Sequence, residues 1–206
     1  MFNLTFAIAA DAIVSKLLFD KVGITDPGSF ESFNSGRGTK WWGENNVAQP
    51  DGFFVSANSL LGVELKVKTK SSLQQILKYI ALMVMEEHHS SKRQNLGLLF
   101  IAPKQDETRF WTKCGLRGPT IDYEAFIDRA SLGINPYMSS LLKKHGDHFK
   151  SVVDRLHLKL LSWTQLRDDM LQINGGLDQK DVGQQTLHRL LDGLREQIEI
   201  NKDTGV

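Results

Sequence analysis

The apolar positions along this chain change period several times, and each change marks an element. Across residues 4–22, Leu4, Ile8, Ile13, Leu17 and Leu18 recur at helical spacing, which predicts a helix with one buried side. Residues 23–43, rich in Gly and Ser, read as a loop. After Pro50-Asp51 the period shortens to two, and two strands are expected near 52–56 and 61–68, joined hairpin-fashion through "SANS". "SSLQQILKYIALMVMEEHH" returns to a helical period, with Ser71 or Ser72 as cap and Gln74 or Gln75 as the capping-box partner. "NLGLLFIAP", 95–103, is a continuous apolar run closed by proline, the signature of a strand buried on both faces.

Beyond residue 120 the pattern is mostly helical, over about 122–130, 137–145 and 147–155. A late strand is expected in "LHLKLLSW", a helix in "TQLRDDMLQI" with Thr164 near its cap, and a final helix over 179–200. The Gly175-Gly176 turn is the hinge expected before that last helix. The fold class is therefore α/β, with a mainly helical C-terminal part.

One strand carries more charge than its packing needs. In "VELKVK" the alternation turns Glu64 and Lys66 to one face and Val63, Leu65 and Val67 to the other. The apolar set is expected to face the core against the following helix, leaving the polar pair opposite it or toward the strand end. There Asp51, thirteen residues before Glu64, can meet the pair across the hairpin. Two carboxylates held together repel unless something positive lies between them. A divalent cation with oxygen ligands answers that need, and carboxylates with waters suit Mg2+, with Mn2+ as a substitute. A neighbouring ammonium completes a set suited to phosphodiester cleavage, because it orients a water or stabilises developing charge. Against this stands the plainer reading, a turn dipeptide and a solvated strand edge forming a surface salt-bridge group.

"PDG…VELKVK" resembles the PD-(D/E)xK nuclease superfamily. The resemblance covers about half the chain and implies a restriction endonuclease-like core, a helix, a mixed sheet and a second helix, over residues 1–120. Residues 121–206 would then be a helical extension packed on that core, or part of one domain spanning 1–206. It also implies a Mg2+-dependent deoxyribonuclease in which Asp51 and Glu64 bind the metal and Lys66 serves the attacking water. The backbone carbonyl of Leu65 would be a further ligand. Gln75 and Tyr79 match the Q-x-x-x-Y pattern of RecB-type nucleases, and their i, i+4 spacing places both on one helical face. Gln75 as the capping partner of Ser72 and Tyr79 as a core aromatic are the competing assignments. Glu44 is an extra acidic candidate, since related proteins add a carboxylate ahead of the aspartate strand. Loss of turnover with retention of binding, a silent nucleic-acid or partner-protein module, is the alternative to catalysis.

Composition narrows the partners. The 206 residues carry a net charge of only +1, so any polynucleotide contact must be local. Lys68, Lys70 and Lys78, with Arg37 and Lys40, are the candidate phosphate contacts; Trp41 and Trp42 read as packing on the sheet. No G-x-x-x-x-G-K-[ST] is present, so ATP-driven movement would need an accessory subunit, and a homo-oligomer is compatible. The single cysteine, Cys114, excludes an internal disulfide and a multi-cysteine zinc site. Asp11 interrupts the first apolar run and no basic region precedes it, which predicts a cytoplasmic protein with no membrane partner.

Overall fold

The computed structural model describes residues 2, 5, 6, 9, 11–33, 48, 50–66, 72–178, 180–201 and 204. Five strands form one sheet in the order β1-β2-β3-β4-β5: β1 (Phe30–Phe33), β2 (Gly52–Ser56), β3 (Ser59–Leu65), β4 (Asn95–Ala102) and β5 (Leu156–Ser162). β2 runs antiparallel to both neighbours, whereas β3, β4 and β5 are parallel. The sheet is mixed, with the carboxyl ends of three strands along one edge.

The β2–β3 hairpin closes locally. Ser56 Oγ accepts from the backbone N–H groups of Asn58 (3.2 Å) and Ser59 (2.9 Å), so the serine satisfies the turn left open by a two-residue connection. Helix α2 (Leu73–His89) then carries the chain back from the carboxyl end of β3 to the start of β4, as a parallel pair requires. α1 (Asp11–Val14) precedes the sheet and continues through a π turn, Ser15–Phe19, and a 3-10 turn, Asp20–Val22. The remaining helices are α3 (Glu107–Cys114), α4 (Tyr123–Ala130), α5 (Pro136–Val153), α6 (Trp163–Asn174) and α7 (Val182–Ile200).

Strand alternation sorts the core into two layers. Leu60, Leu98, Phe100 and Leu158 pack with α2, α3, α4 and α5 on one face. Leu61, Val63, Leu99, Ile101 and Leu161 pack with the N-terminal helical segment, α6 and α7 on the other. Both faces of β4 are covered, which is why its sequence is an unbroken apolar run. Gly97 lies where the N-terminal segment crosses that strand. A Cβ there would stand 2.9 Å from both Leu61 Cδ1 and Val22 Cγ2. Gly97→Ala is expected to cost about 1–3 kcal/mol through overpacking, measured by urea unfolding.

Several boundaries differ from those the pattern predicts. Residues 30–33, expected within a loop, form β1, whose register runs from Phe30↔Ser56 to Phe33↔Phe53. α3 is not among the expected elements, although Asp106 caps it by accepting from Arg109 N–H and Gly115 ends it at φ 86°. The two helices expected over 137–145 and 147–155 are one helix, α5, interrupted at His145 by non-helical torsions. The cap of α6 is Ser162, in a capping box with Gln165, and Thr164 follows it in the first turn. Among the described residues no helix is long and apolar enough to cross a membrane.

Candidate active site

The site grows from the carboxyl end of β3. The register Gly52↔Val63 puts Asp51, immediately before β2, beside Glu64. Asp51 Oδ2 accepts from Leu65 N–H at 2.8 Å, which ties the turn to the strand opposite. In an extended strand the N–H and C=O of one residue point to the same side, so the Leu65 carbonyl also faces the Asp51 side.

Glu64 is buried, at 7% exposure, and a buried carboxylate requires partners. It has them from two elements. Oε1 accepts from Lys66 Nζ and from Gln75 Nε2, both at 2.6 Å, and Oε2 accepts from the Tyr79 hydroxyl. Gln75 Oε1 takes a second bond from Lys66 Nζ at 3.0 Å, and Gln75 Nε2 also donates to Tyr79 Oη at 3.1 Å. Both amide atoms of Gln75 are therefore used within the cluster. Its backbone N–H, and not its side chain, pairs with the cap Ser72 Oγ. Tyr79 is a core aromatic by burial and a site residue by its hydroxyl.

This arrangement corrects the face expected for the charged pair. Glu64 and Lys66 point toward α2, while Val63 and Leu65 pack on the opposite layer with the N-terminal segment and α6. Helices cover both faces, so the apolar alternation alone does not say which helix the polar set meets.

Lys66 is held at its backbone as well. Its N–H donates to Ile101 O at 2.7 Å, and its carbonyl accepts from the Trp163 indole N–H at 2.9 Å. Trp163 is a site-supporting residue that the motif does not point to; its only sequence signal is that a buried indole N–H needs an acceptor.

Burial pushes the Asp51 carboxyl above its ordinary range. The Leu65 N–H pulls it down, Glu64 pushes it up, and Lys66 pulls it down again. Tyr79 is driven strongly upward by burial and by the neighbouring Glu64 charge, so its hydroxyl stays a proton donor at neutral pH. Asp51 forms no ion pair among the described residues.

The donor set is two carboxylates and a carbonyl. No group of three His, Cys, Asp or Glu side chains that could hold a metal occurs among the described residues. A hard cation that keeps several waters needs no such group, and Mg2+ is commonly held by one or two carboxylates. Desolvated Asp51 beside Glu64, whose Oε2 keeps a lone pair beyond its one bond to Tyr79, fits that ion.

Lys78 is exposed on α2. Glu44, Arg37, Lys40, Lys68 and Lys70, with Trp41 and Trp42, lie outside the described residues. His148 lies with Nε2 at 3.0 Å from Glu87 Oε2, so it belongs to the shell of a buried carboxylate. Comparison with family models, curated proteins and solved structures gives no match for this chain.

Proposed function

We propose that this chain is a metal-dependent nuclease of the PD-(D/E)xK type, with a restriction endonuclease-like core, hydrolysing phosphodiester bonds in DNA. The observation that carries this reading is the convergence of Asp51, Glu64, Lys66, Gln75 and Tyr79, from a turn, a strand and a helix, into one bonded cluster. The order helix, mixed sheet, second helix, parallel strand supports the fold that the sequence resemblance implies. The single cysteine of the chain, buried Cys114, is compatible with a cytoplasmic protein.

Asp51, Glu64 and the Leu65 carbonyl would hold Mg2+, or Mn2+ in its place. When bound, such an ion polarises the phosphate and lowers the pKa of a coordinated water. Lys66 Nζ, fixed between Glu64 and Gln75, presents a positive charge to the attacking water or to the phosphorane-like charge that develops. Gln75 locks the rotamers of both Lys66 and Glu64, and Tyr79 holds the second Glu64 oxygen. Trp163 keeps the Lys66 backbone in register.

The test is cleavage of linear, circular and single-stranded DNA with Mg2+ or Mn2+, beside EDTA and Asp51→Ala. Cleavage abolished by both is expected, and the circular substrate separates endonuclease from exonuclease action. Asp51→Asn is expected to leave the melting temperature unchanged or raised, because it removes a desolvated charge beside Glu64 while keeping an acceptor for Leu65 N–H. The reading fails if the wild type neither cuts nor gains thermal stability from Mn2+; that outcome leaves the cluster as a salt-bridge group. Stabilisation by Mn2+ without cutting would indicate a silent binding module.

A further inference from the structure

A cleft opens beside the first turn of α2. It has a volume of about 300 Å3, and its lining includes Leu73, Leu116 and Phe126 as an apolar floor with Arg117, Thr120 and Arg129 at the rim. Gly115 brings the end of α3 against the first turn of α2. A Cβ at this glycine would fall 2.8 Å from Leu73 Cγ, and its φ of 86° is the left-handed form that glycine tolerates. Gln74 Nε2 donates to Leu132 O at 2.7 Å, which fixes the α4–α5 connection to the same turn.

Both arginines are exposed, and neither forms an ion pair among the described residues. The one carboxylate in the cleft, Asp122, is engaged as the cap of α4, where Oδ1 accepts from Ala125 N–H at 3.0 Å. Two unpaired guanidiniums against one capped carboxylate favour an anion, and the planar fork of arginine suits phosphate. The apolar floor beneath them suits a base or a sugar edge.

Position adds the rest. Leu73 opens the same first turns of α2 that carry Gln75 and Tyr79, and the turn of the helix sets it on a different face from them, so the cleft flanks the Glu64 cluster across α2. Resting on the nuclease reading above, we infer that the Arg117–Arg129 cleft binds a backbone phosphate of the DNA strand whose scissile bond lies at Asp51 and Glu64. The contact is a positioning contact and is not part of the chemistry.

The experiment is fluorescence anisotropy of a labelled 20-nucleotide strand and its duplex, in EDTA, from 50 to 200 mM salt. It compares the full-length wild type, Arg117→Ala/Arg129→Ala, and, as control, Arg189→Ala at an exposed position of α7. The double variant is expected to lose about tenfold or more in affinity. Its log–log salt slope should flatten by about 0.7–0.9, the contribution of one phosphate contact. Its melting temperature and the binding of the control should match the wild type. Wild-type affinity and slope in the double variant would overturn the inference even if the enzyme cuts DNA, and so would a wild type that binds no DNA. Intact binding with loss in the double variant but no cleavage would retain this cleft and reject only the nuclease reading.

Discussion

Lys66→Met is expected to lower the rate of DNA cleavage by at least about 100-fold while leaving the stabilisation by Mn2+ in place. The loss follows from position. Lys66 Nζ is the ammonium held against Glu64 Oε1 and Gln75 Oε1, with its backbone clamped between Ile101 and Trp163. Removing one preorganised group that stabilises developing charge typically costs about 10²–10³ in turnover. Metal binding should persist because Lys66 is not a ligand, and because Glu64 keeps its bonds from Gln75 and Tyr79. Asp51→Ala should lose cleavage and the Mn2+ response together. Single-turnover rates and thermal shifts on the two variants separate the roles. If Lys66 were only the partner of a structural ion pair, Lys66→Met would lower stability and leave cleavage unchanged.

Arg155→Ala is expected to destabilise the fold by about 3–5 kcal/mol, the loss seen when one member of a buried ion pair is removed. For a chain of this size that is roughly 6–20 °C in melting temperature. Glu87, whose side chain is fully buried, receives Arg155 in a two-pronged pair: Nη1 to Oε1 at 2.7 Å and Nη2 to Oε2 at 2.8 Å. Arg93 N–H donates to Oε1 at 2.6 Å and His148 meets Oε2. Arg155 also donates to Ser151 O and to Arg93 O. The network joins the end of α2, the approach to β4 and the chain entering β5, so it fixes how the parallel strands start.

The pH dependence checks the cause. Burial alone would push the Glu87 carboxyl up, but Arg155, the Arg93 N–H and His148 bring it below the ordinary range. A carboxyl depressed in the folded state contributes stability that is present above its unfolded value, about 4.3, and is lost as pH falls through the folded value. The wild type should therefore weaken in that acid window. In Arg155→Ala the same carboxyl is buried without its guanidinium, its folded value rises above the unfolded one, and stability should increase as pH is lowered toward 4. Urea midpoints across pH 3–7 measure both slopes; parallel slopes in the two proteins would reject the assignment.

Local chemistry is legible in the residue pattern. The hairpin, the capped helix that follows and the buried strand at 95–102 come from alternation, a serine cap and an apolar run, each completed within a few residues. Asp51, Glu64 and Lys66 are legible from the turn and the strand alternation, whereas Gln75 and Tyr79 are picked out by the family pattern that the sequence resembles. The interruption near residue 145 is also visible, although it is a break within one helix and not a gap between two.

What the pattern does not carry depends on partners far along the chain. β1 exists because Phe30–Phe33 pairs with β2, whose residues lie about twenty or more positions on. Trp163 reaches Lys66 across 97 positions and Arg155 reaches Glu87 across 68, and nothing in the local pattern announces either bond. Alternation misplaces Glu64 and Lys66 because helices cover both sides of the sheet. The sequence by itself determined the period of most elements, β1 and α3 excepted, and the charged set at the end of β3. Only the tertiary structure decided which helix meets that set and what holds Lys66 and Glu87 in place, because those choices rest on long-range packing and on buried charges finding their counter-charges.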